Sequence, residues 1–398
     1  MKSTTRTIIY DRDVSGHHLD YLQFLVEYVK KSPDYIREKF IFALSYQARQ
    51  RFEEAEQEVR FHYIDADKLH KLEQMQSVLK RAAAEMKYVV DLANQYKAER
   101  VVLMHLDAFQ YELGAADARH LHLKFSGLLF LPFRKYYEDG STFKAILKRE
   151  LRGWRKNLQI QWMLQNKNLE KIFFLNDKQG VEEYNQRFDN RFFYLPDPIA
   201  TEPFSTAPLP ELKLKYQVAN DRFVFLIYGH LSERKNIPHI LAALSHIPLE
   251  MHSKICLLIC GEPEKGYEAP LKEMIEKAEE KYSEIAFVKH FHFFDPICTN
   301  EVFKLTDAVL VPYINFFSSS NILGLAAKYG KPLVASNLGV MGFLVNQYQL
   351  GYTVSPDSPK DIAAAMKTLF ENPTSLSIDG SSYLQDHAAD SFCEKLLF

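Results

Sequence analysis

Six apolar residues stand in a row at Phe223–Tyr228, and the chain changes character at once after them. Gly229 follows, then a polar stretch with Arg234, Lys235 and Asn236, then Pro238. An unbroken apolar run offers no polar face to water, so it predicts a parallel strand buried on both sides. Gly229 predicts a tight turn at the strand's end. Pro238 suits the first turn of a following helix. A glycine turn and two cations at the carboxyl end of a buried strand make an anion site, most simply for a diphosphate. A solvated basic loop is the plain alternative.

The pattern recurs. Ile255–Cys260, Ile285–Val288, Ala308–Val311 and Leu333–Ala335 are similar runs, spaced by roughly 20–30 residues, the length of a βαβ step. Thr7–Tyr10, Phe40–Leu44, Val101–Met104 and Ile172–Leu175 repeat the theme more loosely, and Lys68–Tyr96 carries a helical pattern of one or two helices. Between the halves, Tyr194–Leu212 holds Pro196, Pro198, Pro203, Pro208 and Pro210. So many prolines predict a stiff, extended connection without regular structure. The expectation is an α/β protein of two Rossmann-like domains facing across a cleft. The N-terminal domain spans 1–200, the C-terminal domain 201–375, and 376–398 is a tail free to return to the first domain.

Bulk properties narrow the classes. The 398 residues are 47% hydrophobic, enough for large cores. A net charge of -2 gives no reason to expect nucleic acid as a partner. Cys256, Cys260, Cys298 and Cys393 have no metal-ligand spacing and fit a reducing compartment. The N-terminus has no signal-peptide core, and no apolar run approaches a membrane span, so a cytoplasmic location is expected.

Three further segments carry candidate chemistry. In Phe316–Ser336, Ile322, Leu325, Ala326 and Tyr329 fall at helical spacing after a buried strand. Ser319 or Ser320 is expected to cap that helix, and Gly330 and Pro332 to end it. Its N-terminus would be a second anion cradle, with Ser318, Ser319, Ser320 and Asn321 around it; an ordinary capped helix is the alternative. Near the start, Gly16, His17 and His18 follow the first strand. They suit sugar hydroxyls, an acceptor, or for His17 a base, against a capping loop with surface histidines. Two adjacent histidines do not face one metal, so no metal site is expected. His105 and Asp107 follow the strand Val101–Met104, where His105 would bond a sugar and Asp107 take a hydroxyl proton. Core packing and a turn are their plain readings.

These residues together resemble the GT-B glycosyltransferases, specifically the large retaining group called family four. Gly229–Asn236, G-H-L-S-E-R-K-N, looks like that family's G-x-x-x-x-R/K-K-N loop. Leu257–Pro263, with Gly261 and Glu262, looks like its next strand and turn. Leu323–Ser336 is similar to its E-A-M-A-x-G-x-P-V-V-A segment, Gly16-His17-His18 to its acceptor-side loop, and Asp197-Pro198 to a D/N-P element that ends its first domain. The resemblance implies that Arg234 and Lys235 hold the diphosphate of a nucleotide-sugar donor, with no metal and no separate cofactor. One departure matters. The family carries two glutamates before G-x-P, and aligning on Gly330-Lys331-Pro332 places Phe317 and Leu325 there. Neither side chain accepts a hydrogen bond from a sugar.

The expected function is transfer of a sugar to a glycan or lipid-linked acceptor, in cell-envelope polysaccharide synthesis. A degenerate sugar- or nucleotide-binding protein and a sugar-nucleotide epimerase are the alternatives. Residues 134–156 mix Lys and Arg with Tyr136, Tyr137, Phe143, Leu151 and Trp154. That composition suits peripheral contact with an anionic bilayer, against a packed helix with a solvated basic face.

Overall fold

The computed structural model describes residues 5–14, 18–115, 122–130, 143–199, 204–372 and 378–398, with only the backbone of 143–150 and 152. Gly16, His17 and residues 134–142 thus lie outside the described residues. The chain divides into two compact units, 1–198 with 388–398, and 199–387.

In the first unit, β1 (Arg6–Asp11), β2 (Phe40–Ser45), β3 (Arg60–Ile64), β4 (Ala98–Leu103), β5 (Lys124–Leu129), β6 (Leu169–Leu175) and β7 (Phe192–Leu195) form one parallel sheet. Its order is β3-β2-β1-β4-β5-β6-β7. In the second unit, β8 (Phe223–Tyr228), β9 (Ile255–Cys260), β10 (Ala286–His290), β11 (Ala308–Val311), β12 (Leu333–Ser336) and β13 (Gly351–Val354) form another. Its order is β10-β9-β8-β11-β12-β13, again all parallel. Strand order reverses between β1 and β4 and between β8 and β11. At such a switch point successive connections leave toward opposite faces and open a crevice at the strands' carboxyl ends.

The apolar runs follow from burial on both faces. Along β8, Val224 and Leu226 enter one core while Phe225 and Ile227 enter the other. In β1, Ile8 and Tyr10 face one core and Ile9 the other. A position exposed on either side would have shown as alternation. The C-terminal helix Ala389–Leu397 belongs to the first unit, where Phe392, Cys393, Leu396 and Leu397 are buried beside Tyr21 and Val26 of the helix His18–Lys31.

The structure departs from expectation in two places. β3, β5, β7 and β13 lie outside the expected runs: β7 and β13 are only four residues long, β3 is an edge strand of mixed polarity, and β5, though central, breaks its apolar residues with Lys124, Ser126 and Gly127. The Lys68–Tyr96 pattern is two helices, within the expected one or two: Ala66–Glu73 and Val78–Tyr96, the second capped by Ser77. The proline-rich connection is not wholly irregular. A helix runs over Leu209–Lys215 with Pro208 at its N-cap and Pro210 in its first turn, where a missing N–H costs nothing.

Candidate functional site

At the β8/β11 switch of the second unit, two glycines set the backbone. Gly229 has φ +99 and its N–H donates to the Cys260 carbonyl at 3.0 Å. Gly261 has φ +143, and a Cβ built there would stand 1.8 Å from the Gly229 carbonyl oxygen. The ends of β8 and β9 therefore approach so closely that no side chain fits between them. Glu262 is exposed, and its carbonyl accepts from Leu231 N–H at 2.9 Å, holding the loop after β8 against the loop after β9.

Lys235 is folded inward over this turn. It is only 2% exposed, and its Nζ donates to the Tyr228 carbonyl and to the Tyr313 hydroxyl, both at 2.6 Å. A Cβ on Gly229 would meet that Nζ at 3.2 Å. Burial, and then the Arg234 charge, lower the ammonium's pKa to about 7. Arg234 is half-buried, with its guanidinium 4.7 Å from the centre of the Phe316 ring and 5.4 Å from that of Tyr313. Among the described residues that guanidinium donates no hydrogen bond, so its N–H fork is available to an anion. Asn236 has φ +59 and is fully buried, and its Nδ2 donates to the Pro312 and Pro356 carbonyls at 2.8 and 2.7 Å. It clamps the loops after β11 and β13 to the cation loop.

The serine segment differs in detail from expectation. The helix is Ile322–Lys328, and its N-cap is Asn321, with no side-chain capping bond. Ser319 and Ser320 therefore do not cap it. The Ser320 side chain instead hydrogen-bonds Tyr313, the tyrosine that holds Lys235. Ser318 is exposed, and Ser319 and Ser320 are half-buried. The Phe317 carbonyl accepts from Val340 N–H at 2.8 Å, and Leu325 packs on the apolar core of this unit.

At the β1/β4 switch of the first unit, β1 ends in Asp11, whose carboxylate is buried. Its Oδ2 lies 2.7 Å from Nδ1 of His18, and its Oδ1 accepts from Asp13 N–H at 3.0 Å. Burial raises the Asp11 pKa, with the His18 hydrogen bond pulling the other way. Burial alone would lower that of His18, but its bond and attraction to Asp11 leave it raised. The His18 and His105 rings lie 5.6 Å apart and both pack on Phe130. Potential ligand atoms of Asp13, His18 and His105 lie within 4.8 Å of one another. Asp107 accepts from Phe130 N–H at 2.7 Å, which anchors the end of β5.

His105 lines a cavity of about 340 Å³ together with Arg12, Gln47, Glu73, Arg81 and Glu85. Glu85 is buried, and it accepts from Arg12 Nε at 2.8 Å and Tyr10 Oη at 3.0 Å. The sequence reading missed Asp11, Arg12 and Glu85. Asp11 and Arg12 had a signal, since they follow the first apolar run directly. Glu85 had none, because it arrives from the middle of the helix Val78–Tyr96.

Residues 210–380 match the family described as glycosyl transferases group 1. No curated protein matches the chain. Among solved structures, Alr3699/HepE of Anabaena in complex with UDP is similar at 14% identity, with a TM-score of 0.66 over 99% of this chain and 98% of that one. WaaG, a glycosyltransferase involved in lipopolysaccharide biosynthesis, is similar at 15% identity and a TM-score of 0.62, covering 98% and 97%. Sucrose-phosphate synthase of Thermosynechococcus elongatus is similar at 14% identity and 0.64, also over 98% and 97%. Two parallel α/β sheets with central switch points and matches over almost the whole length are those of the GT-B fold. The chain has the GT-B fold, and its residues 210–380 match the model of the glycosyl transferases group 1 family.

Proposed function

We propose that this protein is an active glycosyltransferase that takes a sugar from a nucleoside-diphosphate donor and passes it to a glycan or lipid-linked acceptor. The observation that carries this reading is the pair Arg234 and Lys235 set over the Gly229 turn at the end of β8. As the bond between the sugar and the diphosphate breaks, negative charge grows on the leaving oxygens. Two cations fixed by Tyr313 and Phe316 stabilise that charge without reorganising. That arrangement supports a metal-independent reaction with no resident cofactor, and the family resemblance supports retention at the transferred carbon. UDP is the first nucleotide to test, since HepE was crystallised with UDP and with UDP-glucose. The acceptor reading rests on the polar cavity at the β1/β4 switch, where His105 is the group best placed to receive the acceptor's proton. Membership of WaaG in lipopolysaccharide synthesis supports a cell-envelope glycan. No helix among the described residues is long and apolar enough to cross a membrane, and we place the reaction on the cytoplasmic side.

The test is calorimetric titration with UDP and UDP-sugars, followed by transfer of labelled sugar to envelope glycans. Binding with transfer is the expected result. Nucleotide binding with no transfer from any donor would favour the degenerate reading, which Phe317 and Leu325 at the expected carboxylate positions support. Sugar interconversion without an acceptor would favour the epimerase.

The pH dependence of binding has a definite sign. In the free protein Lys235 loses its proton near pH 7, whereas its ordinary value is 10.5. The unfolded chain thus binds more protons between those values, and stability should rise with pH across that window. A bound diphosphate favours the charged amine and raises its pKa. Binding should therefore take up a proton above pH 7, and affinity should fall with rising pH by up to about tenfold per unit. Titrations in buffers of different ionisation enthalpy measure the uptake, and Lys235→Met should flatten the slope.

The serines give a separate expectation. Ser318→Ala and Ser319→Ala should lower turnover while affinity for the bare nucleotide diphosphate persists, because their hydroxyls stand where sugar contacts are expected. Wild-type turnover in both would reduce the cluster to a structural turn.

A further inference from the structure

The helix Phe143–Met163 turns one face to the core of the first unit, through Gly153, Ile160 and Met163. Its C-terminal half is held along one flank to the helix Gln110–Ala115, by Trp162 Nε1 donating to the Tyr111 carbonyl at 3.0 Å and by Gln159 bonding the Tyr111 hydroxyl. The opposite face is apolar as well. Leu151 is 58% exposed, Trp154 65%, Leu158 42% and Trp162 42%. At 3.6 residues per turn these four share one stripe about 80° wide, centred almost opposite Ile160. Tyr111, also exposed, lies beside its C-terminal end. The same helix carries Lys144, Lys148, Arg149, Arg152, Arg155 and Lys156 in its sequence, against the single acid Glu150. Both tryptophans of the chain lie on it.

We propose that this face is a docking surface for an anionic lipid bilayer, on which the helix lies flat. A single exposed leucine would need no explanation, but two tryptophans and two leucines in one stripe make a patch that water does not favour. Indole is suited to the bilayer interface, where its ring is apolar and its edge can hydrogen-bond. The cationic composition of the helix selects anionic headgroups, and it weighs against a second copy of this chain, whose helix would bring the same charge. The surface is independent of the transfer reading, and it would hold the enzyme where a lipid-linked acceptor resides.

The test uses the full chain with vesicles of phosphatidylcholine alone and of equal parts phosphatidylcholine and phosphatidylglycerol. Tryptophan emission reads this helix alone. The expected result is co-sedimentation and a blue shift with the mixed vesicles, weakening with salt and absent with phosphatidylcholine. Trp154→Ser with Leu158→Ser should lower the partition coefficient by about tenfold or more. Both positions are solvent-facing, so the melting temperature should hold, and nucleotide affinity provides a second check on folding. No binding to the mixed vesicles would overturn the proposal, as would binding that the double substitution leaves intact. A dimer dissolved by the same substitutions, with no vesicle binding, would assign the stripe to a second copy instead.

Discussion

Gly261→Ala should cost roughly 3–5 kcal/mol of stability or prevent folding of the second unit, the largest effect expected of any single methyl group here. The new Cβ would stand 1.8 Å from the Gly229 carbonyl oxygen and 2.7 Å from its carbon, and neither is a flexible side-chain end that can step aside. Relief requires parting the ends of β8 and β9, which pair through Tyr228 and Cys260. Positive φ contributes too, and Gly266→Ala separates the two causes. Gly266 has φ +86 with nothing within 4 Å of its would-be Cβ, so that substitution should cost only about 1 kcal/mol. Chemical denaturation of both variants is the measurement. Equal costs would mean that backbone conformation, and not contact between the strand ends, makes Gly261 a glycine.

Lys235→Met should weaken nucleotide-diphosphate binding by roughly 1.5–3 kcal/mol, the scale of a charge-assisted hydrogen bond, and lower stability by about 1–3 kcal/mol above pH 10.5, where the amine is neutral in both states; at lower pH, relief of the cost of burying the charge opposes that loss. The second loss follows from burial. An exposed lysine in a basic loop would leave stability unchanged when removed, but this one holds the Tyr228 carbonyl and the Tyr313 hydroxyl. Methionine fills the space and leaves the carbonyl without that donor. Arg234→Ala should match the loss of affinity with little loss of stability, because its side chain is half-exposed and touches ring faces only. Calorimetric titration and thermal melting distinguish the two variants. Unchanged affinity in both would remove the phosphate assignment.

Much of the fold was legible because burial on both faces writes itself into a strand as an unbroken apolar run. Phe223–Tyr228 and Ile255–Cys260 were readable to the residue, and Ala308–Val311 likewise. Edge strands such as Arg60–Ile64 were not, since a half-solvated strand mixes polar and apolar residues as loops do. The second unit's candidate site was legible for a related reason. Its glycine turn, cations and asparagine lie within eight consecutive residues, so their spacing survives in one dimension.

The roles within that stretch were not legible. Nothing local distinguishes Arg234 from its neighbour, yet one cation lies across ring faces and the other is buried against a strand end. Tyr313, more than seventy residues downstream, makes that choice by arriving on β11's loop. The first unit's site shows the limit most clearly. Asp11, His18, Glu85 and His105 come from a strand end, two helices and a loop, and only the order in which the sheet lays β1 beside β4 brings them together. Local pattern thus determined which segments would be buried strands and which residues the candidate anion site would hold. The sheet's crossover decided which side chains share a site, because contact across a switch point depends on the path of the chain and leaves no periodicity in it.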